Sequence, residues 1–94
     1  MLGNFFDAVI SNNENEIGKF LQCGVNPNVI IDRHKLTPLH FAVLHDSIKA
    51  TKLLLVAGAD LDAEDIEGWT PLDWAMSGGH YAMIDLLDEF KRKH

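Results

Sequence analysis

Thr37-Pro38-Leu39-His40-Phe41-Ala42 returns 33 residues later as Thr70-Pro71-Leu72-Asp73-Trp74-Ala75. Two further landmarks keep the same step. Gly24-Val25-Asn26-Pro27-Asn28 is matched 34 residues on by Gly58-Ala59-Asp60-Leu61-Asp62, and Ala50, Thr51, Leu53, Leu54 and Ala57 map onto Met83, Ile84, Leu86, Leu87 and Phe90 at an offset of 33. A period of this length means stacked copies of one supersecondary unit. No single copy buries its apolar face alone, so the fold is an array.

Each landmark has a physical reason. A threonine hydroxyl caps a free backbone N–H at a helix start, and proline at the first helical position gives up no hydrogen bond. Ala42 and Ala75 are small enough to let a helix approach its neighbour closely. After a short break, apolar residues at i, i+1, i+3, i+4 and i+7 mark a second helix. Gly24 and Gly58 suit the position just past a helix end, where a left-handed conformation is wanted. A polar stretch then leads to the next Thr-Pro, so the unit is helix, turn, helix, extended loop.

With T-P-L-H-F-A at 37–42 and G-A-D-L-D at 58–62, that unit resembles the ankyrin repeat. The resemblance implies an all-α solenoid of helix-turn-helix units with β-turn finger loops, in one domain over residues 1–94. The repeats fall at about residues 2–32, 33–65 and 66–94. The first lacks Thr-Pro and opens with Leu2, Phe5 and Phe6, as a terminal repeat that leaves an apolar end. Its loop from Gly24 to Thr37 is one residue longer than that from Gly58 to Thr70, with the extra residue expected near Val29–Asp32. The histidine of the motif, which in the family bonds locally and ties neighbouring turns, is present as His40 and replaced by Asp73. Lys91 stands where Gly58 would recur. The closing helix should therefore run on into Lys91-Arg92-Lys93, cations suited to its negative end, and the last repeat should be tied less firmly.

Charge is distributed unevenly. Residues 1–52 hold five acids and five bases, whereas Leu53 to Phe90 hold nine acids and no lysine or arginine, within a net charge of −6. Such a block disfavours nucleic acid and anionic lipid. No run of roughly 20 apolar residues is present to cross a bilayer. The opening residues do not form a signal peptide, and the single Cys23 suits a reducing compartment. A cytoplasmic location is expected.

Chemistry finds little support. His34, His40 and His45 are spaced by six and five, so none share a helix face as zinc ligands would. Asp60, Asp62 and Glu64 alternate as in a calcium loop, but Asp65 replaces its glycine and Pro71 its final glutamate. Ser77-Gly78-Gly79 is neither a nucleophile elbow nor a phosphate loop. No cofactor, metal or catalytic residue is expected, and the chain is not expected to be an enzyme.

A binding role is what the resemblance implies. Stacked repeats present a concave surface, and in the family contacts come from finger tips and the exposed face of each first helix. Carried onto this chain, the tips are Arg33, His34 and Leu36, then Ile66, Glu67 and Trp69, with Asp65 in the same acidic loop. The helix positions are Phe41, Leu44 and His45, then Trp74, Ser77 and Gly78. Gly78 either leaves room for a bulky partner side chain or only makes a turn. Trp69 and Trp74 either form an interface core or pack between fingers. The expected function is protein binding by occlusion or scaffolding, as an inhibitor, immunity-type protein or adaptor. The expected partner presents a basic surface, and a monomer is favoured over a homo-oligomer. The alternative is an assembling subunit whose open ends stack on further repeats or on itself.

Overall fold

The computed structural model of the chain describes residues 2–30 and 32–93, with the backbone only for Leu2 and Gly3. The described residues form six helices and no strand: α1 (Leu2–Ile10), α2 (Glu14–Gln22), α3 (Pro38–Leu44), α4 (Ile48–Val56), α5 (Pro71–Gly78) and α6 (Tyr81–Lys93). They pair as α1/α2, α3/α4 and α5/α6. Helices α1, α3 and α5 pack side by side in one row and α2 rests on α4 in a second, while α6 leans chiefly on α5.

The helix starts follow the capping chemistry of Thr-Pro. Thr37 Oγ1 accepts the His40 amide at 3.3 Å and Thr70 Oγ1 the Asp73 amide at 3.2 Å. The reciprocal bond differs between the copies. Thr37 N–H donates to His40 Nδ1 at 3.2 Å, whereas Thr70 N–H donates to Asp73 Oδ2 at 2.9 Å. Both close a capping box, so Asp73 keeps the local half of the histidine's work.

Gly24 and Gly58 end α2 and α4 at φ +95° and +102°. Their flanking amides close back on the last turn, with Val25 N–H to Phe20 O at 3.1 Å and Ala59 N–H to Leu54 O at 2.9 Å.

The core runs through the array between its two rows of helices. Phe5, Val9 and Ile17 of the first repeat, Leu39, Val43 and Leu54 of the second, and Ala75 and Met83 of the third are wholly enclosed. Ala42 and Ala50 are too, which lets the helix rows approach closely. Phe5 and Phe6 do not form an apolar end. Their rings pack edge to face on Phe20 and Phe41, and α1 and the turn after it show solvent Asn4, Asp7 and Ser11 instead. The aromatic rings turn inward because burying them against the other rings removes their apolar surface from water.

Neighbouring repeats are tied by polar bonds at matched places. Asn12 Oδ1 accepts the Ala50 amide at 2.9 Å and Ser47 Oγ donates to Ile10 O at 3.1 Å. Asn28 donates to Gly58 O at 3.1 Å and accepts from the Asp60 amide at 2.7 Å. One repeat later Asp62 stands in place of Asn28 and meets Lys91, which stands in place of Gly58, at 3.5 Å. An exposed pair of this kind contributes less than the two bonds it replaces, so the third repeat is the weaker tie.

The turns Asn26–Val29 and Asp60–Ala63 match at an offset of 34, and the turns Asp32–Lys35 and Asp65–Gly68 match at 33. The extra residue of the longer loop thus belongs at positions 30–31, of which Ile31 lies outside the described residues.

Candidate functional site

The second finger is built around one carboxylate. Asp65 Oδ1 accepts the Glu67 amide at 2.9 Å and the Trp69 amide at 3.0 Å, while Oδ2 accepts the Trp74 indole N–H at 3.0 Å. The Asp65 amide returns to Trp69 O at 2.9 Å, and Gly68, at φ +84°, makes the tip. Asp32 opens the first finger in the same way, accepting the His34 amide at 2.9 Å, with Lys35 at φ +59° in the place of Gly68. The matched ring there is Phe41, which has no N–H. Among the described residues, then, a carboxylate pins the finger to the helix behind it only at the second finger.

Asp65 is buried, and burial alone would raise its pKa. The Trp69 amide, the Trp74 indole and the Glu67 amide outweigh that and hold the carboxyl below its ordinary value. A group with a depressed folded-state pKa contributes stability that is present above the unfolded value and lost as pH falls through the folded one. Asp65→Asn should cost about 1–3 kcal/mol at neutral pH, because one amide oxygen cannot serve both the finger amides and the indole. Urea unfolding across pH checks this. The wild-type advantage should shrink as pH falls below about 4, and equal stability at all pH values would show that the carboxylate is not a strut.

The finger is also joined to its neighbour. Ile66 N–H donates to His34 O at 2.8 Å, and Trp69 O accepts from His40 Nε2 at 2.9 Å. A carbonyl only accepts, so Nε2 carries the proton, leaving Nδ1 to accept from the Thr37 amide. The buried His40 thereby bridges the second repeat to the finger of the third, a bond with no counterpart at Asp73 among the described residues.

Between the two fingers and α5 lies a cleft of about 380 Å³. Trp69 and Trp74 form one wall, their ring centroids 5.6 Å apart and tilted by 58°. Leu36 and His34 face them from the first finger, with Ile66 and Glu67 at the rim, Asp65 behind and Ser77 on α5. A smaller notch, sharing Leu36 and Trp74, continues along α3 to Phe41 and Leu44.

Ten of the thirteen residues expected at the surface from the sequence thus meet in one continuous depression. Arg33 and His45 do not line it: Arg33 is exposed on the first finger and His45 is the exposed C-cap of α3. Gly78 does not line it either; the position is exposed, and a Cβ there would stand 2.7 Å from the His80 ring, so the missing side chain makes room for that ring. One residue was overlooked. Met76 is 62% exposed beside Trp69 and Ser77, at the position where Val43 is enclosed. The offset of 33 would have revealed it, as an apolar residue left facing the end of the array.

The acidic loop is less available than its composition suggests. Asp65 and Asp73 are held by their own fold, Asp60 accepts the Asp62 amide, and Asp62 pairs with Lys91. Among the described residues, the carboxylates of Glu64 and Glu67 have no hydrogen-bond or ion-pair partner. Trp69 is 39% and Ile66 57% exposed.

No group of three or more metal-ligating side chains converges among the described residues, and no helix there is long and apolar enough to cross a membrane.

A family model described as ankyrin repeats, three copies, matches residues 5–92. Similar stretches occur in much larger proteins. The palmitoyltransferase ZDHHC13 of Homo sapiens is 37% identical over 74% of this chain, and the ARF GTPase-activating protein GIT2 of Mus musculus 36% over 78%. The chain spans only 11% and 10% of their respective lengths. Protein phosphatase 1 regulatory subunit 27 of Homo sapiens is 34% identical over 81% of the chain and 49% of its own length.

Proposed function

The chain belongs to the ankyrin-repeat family, whose repeats are non-catalytic protein-binding modules, and from that premise we propose that it binds another protein through the cleft between its second and third repeats. The partner presents a basic patch there, and the chain acts by occluding or scaffolding it, as an inhibitor, immunity-type protein or adaptor. One observation carries this reading: exposed Trp69 and Ile66 stand beside Glu67, whose carboxylate nothing in the described fold uses. An apolar centre with a charged rim is the anatomy of a protein interface. The acidic face repels nucleic acid and anionic lipid. The exposed Cys23 thiol suits the reducing cytoplasm.

Parallel capture from host lysate with wild-type and Trp69→Ala baits tests the assignment. A partner of this cleft is retained by the first, lost from the second and released by salt. Proteins retained equally by both baits would place the interface elsewhere.

Self-assembly has one feature in its favour, the exposed Met76 at the end of the array. Against it, Asp73 and Asp88 occupy the places where His40 and Leu55 are buried one repeat earlier. Stacking a further copy would bury both acids. Sedimentation velocity from micromolar to millimolar chain should therefore give one unchanged monomer coefficient. A coefficient that climbs with concentration would favour the assembling role.

A further inference from the structure

We propose that the cleft between the second and third repeats is a receptor for a single arginine side chain of the partner, its guanidinium lying against Trp69 and paired with Glu67. The proposal rests on the binding role assigned above and names what enters the site.

The size comes first. About 380 Å³ lies at the bottom of the roughly 300–1,000 Å³ range of ligand pockets, which suits one long side chain rather than a folded segment. The wall comes next. Trp69 presents 39% of its surface while Trp74 is anchored by its indole to Asp65, so the aromatic pair has a fixed member and an accessible one. A cation is attracted to such a π-face, and a planar guanidinium also stacks on it.

The charge then selects the ligand. Asp65 lends its negative field, but its oxygens already accept three protein donors. Glu67, at the rim, is the carboxylate with both oxygens uncommitted, and it can take a guanidinium through two parallel bonds. His34 is near its own Asp32 at 3.5 Å. The cations of the first finger, Arg33 and Lys35, are exposed and do not line the cleft. Leu36 remains to cover the methylene stem. An aliphatic side chain would leave Glu67 partly desolvated and unpaired, and lysine would forgo both the stacking and the second bond.

The two tryptophans make the test direct, since each gives its own indole N–H resonance. The full chain, labelled with nitrogen-15, is titrated with the methylamides of N-acetyl-arginine, N-acetyl-lysine and N-acetyl-norleucine. Arginine should shift the Trp69 indole saturably in the millimolar range, and Glu67→Gln should weaken that binding roughly tenfold or more. Trp69→Leu should abolish the arginine-induced shifts at Trp74, and its unliganded Trp74 resonance, compared with wild type, reports whether the fold is intact. The proposal is overturned if norleucine binds as well as arginine, if lysine equals arginine, if Glu67→Gln changes nothing, or if no probe shifts either indole. A captured partner that depends on Trp69 but is not displaced by the arginine probe would overturn the arginine and leave the binding role standing. Displacement would support both.

Discussion

Leu54→Ala is expected to lower the unfolding free energy by roughly 2–5 kcal/mol through the cavity it leaves. For a chain of 94 residues this is a large part of a total of about 5–14 kcal/mol. Leu54 is completely enclosed on α4, and α4 packs against both α3 and α2, so the neighbours have little freedom to collapse into the gap. Leu87 is its counterpart on α6 and is almost as buried, at 2% exposed. Its helix leans chiefly on α5, which makes relaxation easier, so Leu87→Ala should fall near the lower end of the same range. Because repeat stabilities add with nearest-neighbour terms, the Leu54 change weakens the middle of the array and the Leu87 change only its end. Urea midpoints measure both. An unmoved midpoint for either variant would mean that the leucine does not belong to the packed core.

The second large effect concerns the partner. Trp69→Ala should speed dissociation by ten- to a hundredfold or more, in the range of an interface hot spot. Glu67→Lys should instead slow association and flatten its dependence on salt, because a rim charge acts mainly on the encounter. The two readouts separate cleanly in this fold. Trp69 gives its backbone N–H to the Asp65 carboxylate and its C=O to the Asp65 amide and to His40, and alanine retains all three bonds. Glu67 likewise gives only its amide to Asp65, so reversing its side chain leaves the strut in place. Stopped-flow association and dissociation rates at low and high salt provide the test. Rates indifferent to salt and to both substitutions would assign the acidic block to solubility alone.

The repeat was legible because stacking imposes the same local chemistry at each step. Thr37 and Thr70 cap, Pro38 and Pro71 start, Gly24 and Gly58 stop, and each of these is a contact between residues no more than a few positions apart. The period itself follows from copies that must bury equivalent faces, so the helical repeat could be assigned from the 33-residue offset, and most of the cleft's lining from the ankyrin resemblance that the repeat carries.

What the order of residues left undecided is the fate of individual side chains whose partners are distant or have no counterpart in the other repeats. Phe5 and Phe6 read as an exposed end, but Phe20 of their own repeat packs on Phe5 and Phe41 of the second repeat packs on Phe6. Asp65 read as one acid among several on a loop. Its burial follows from an indole nine residues later that happens to fall within reach, where the equivalent Phe41 has nothing to donate. Gly78 read either as space for a partner or as a turn residue, and the sequence did not show that the His80 ring lies beside it. Periodicity reports what every repeat must do to stack. Which acids are struts and which remain for a ligand is settled by pairwise geometry, because a carboxylate's hydrogen-bonding capacity is finite and the folded chain takes its share first.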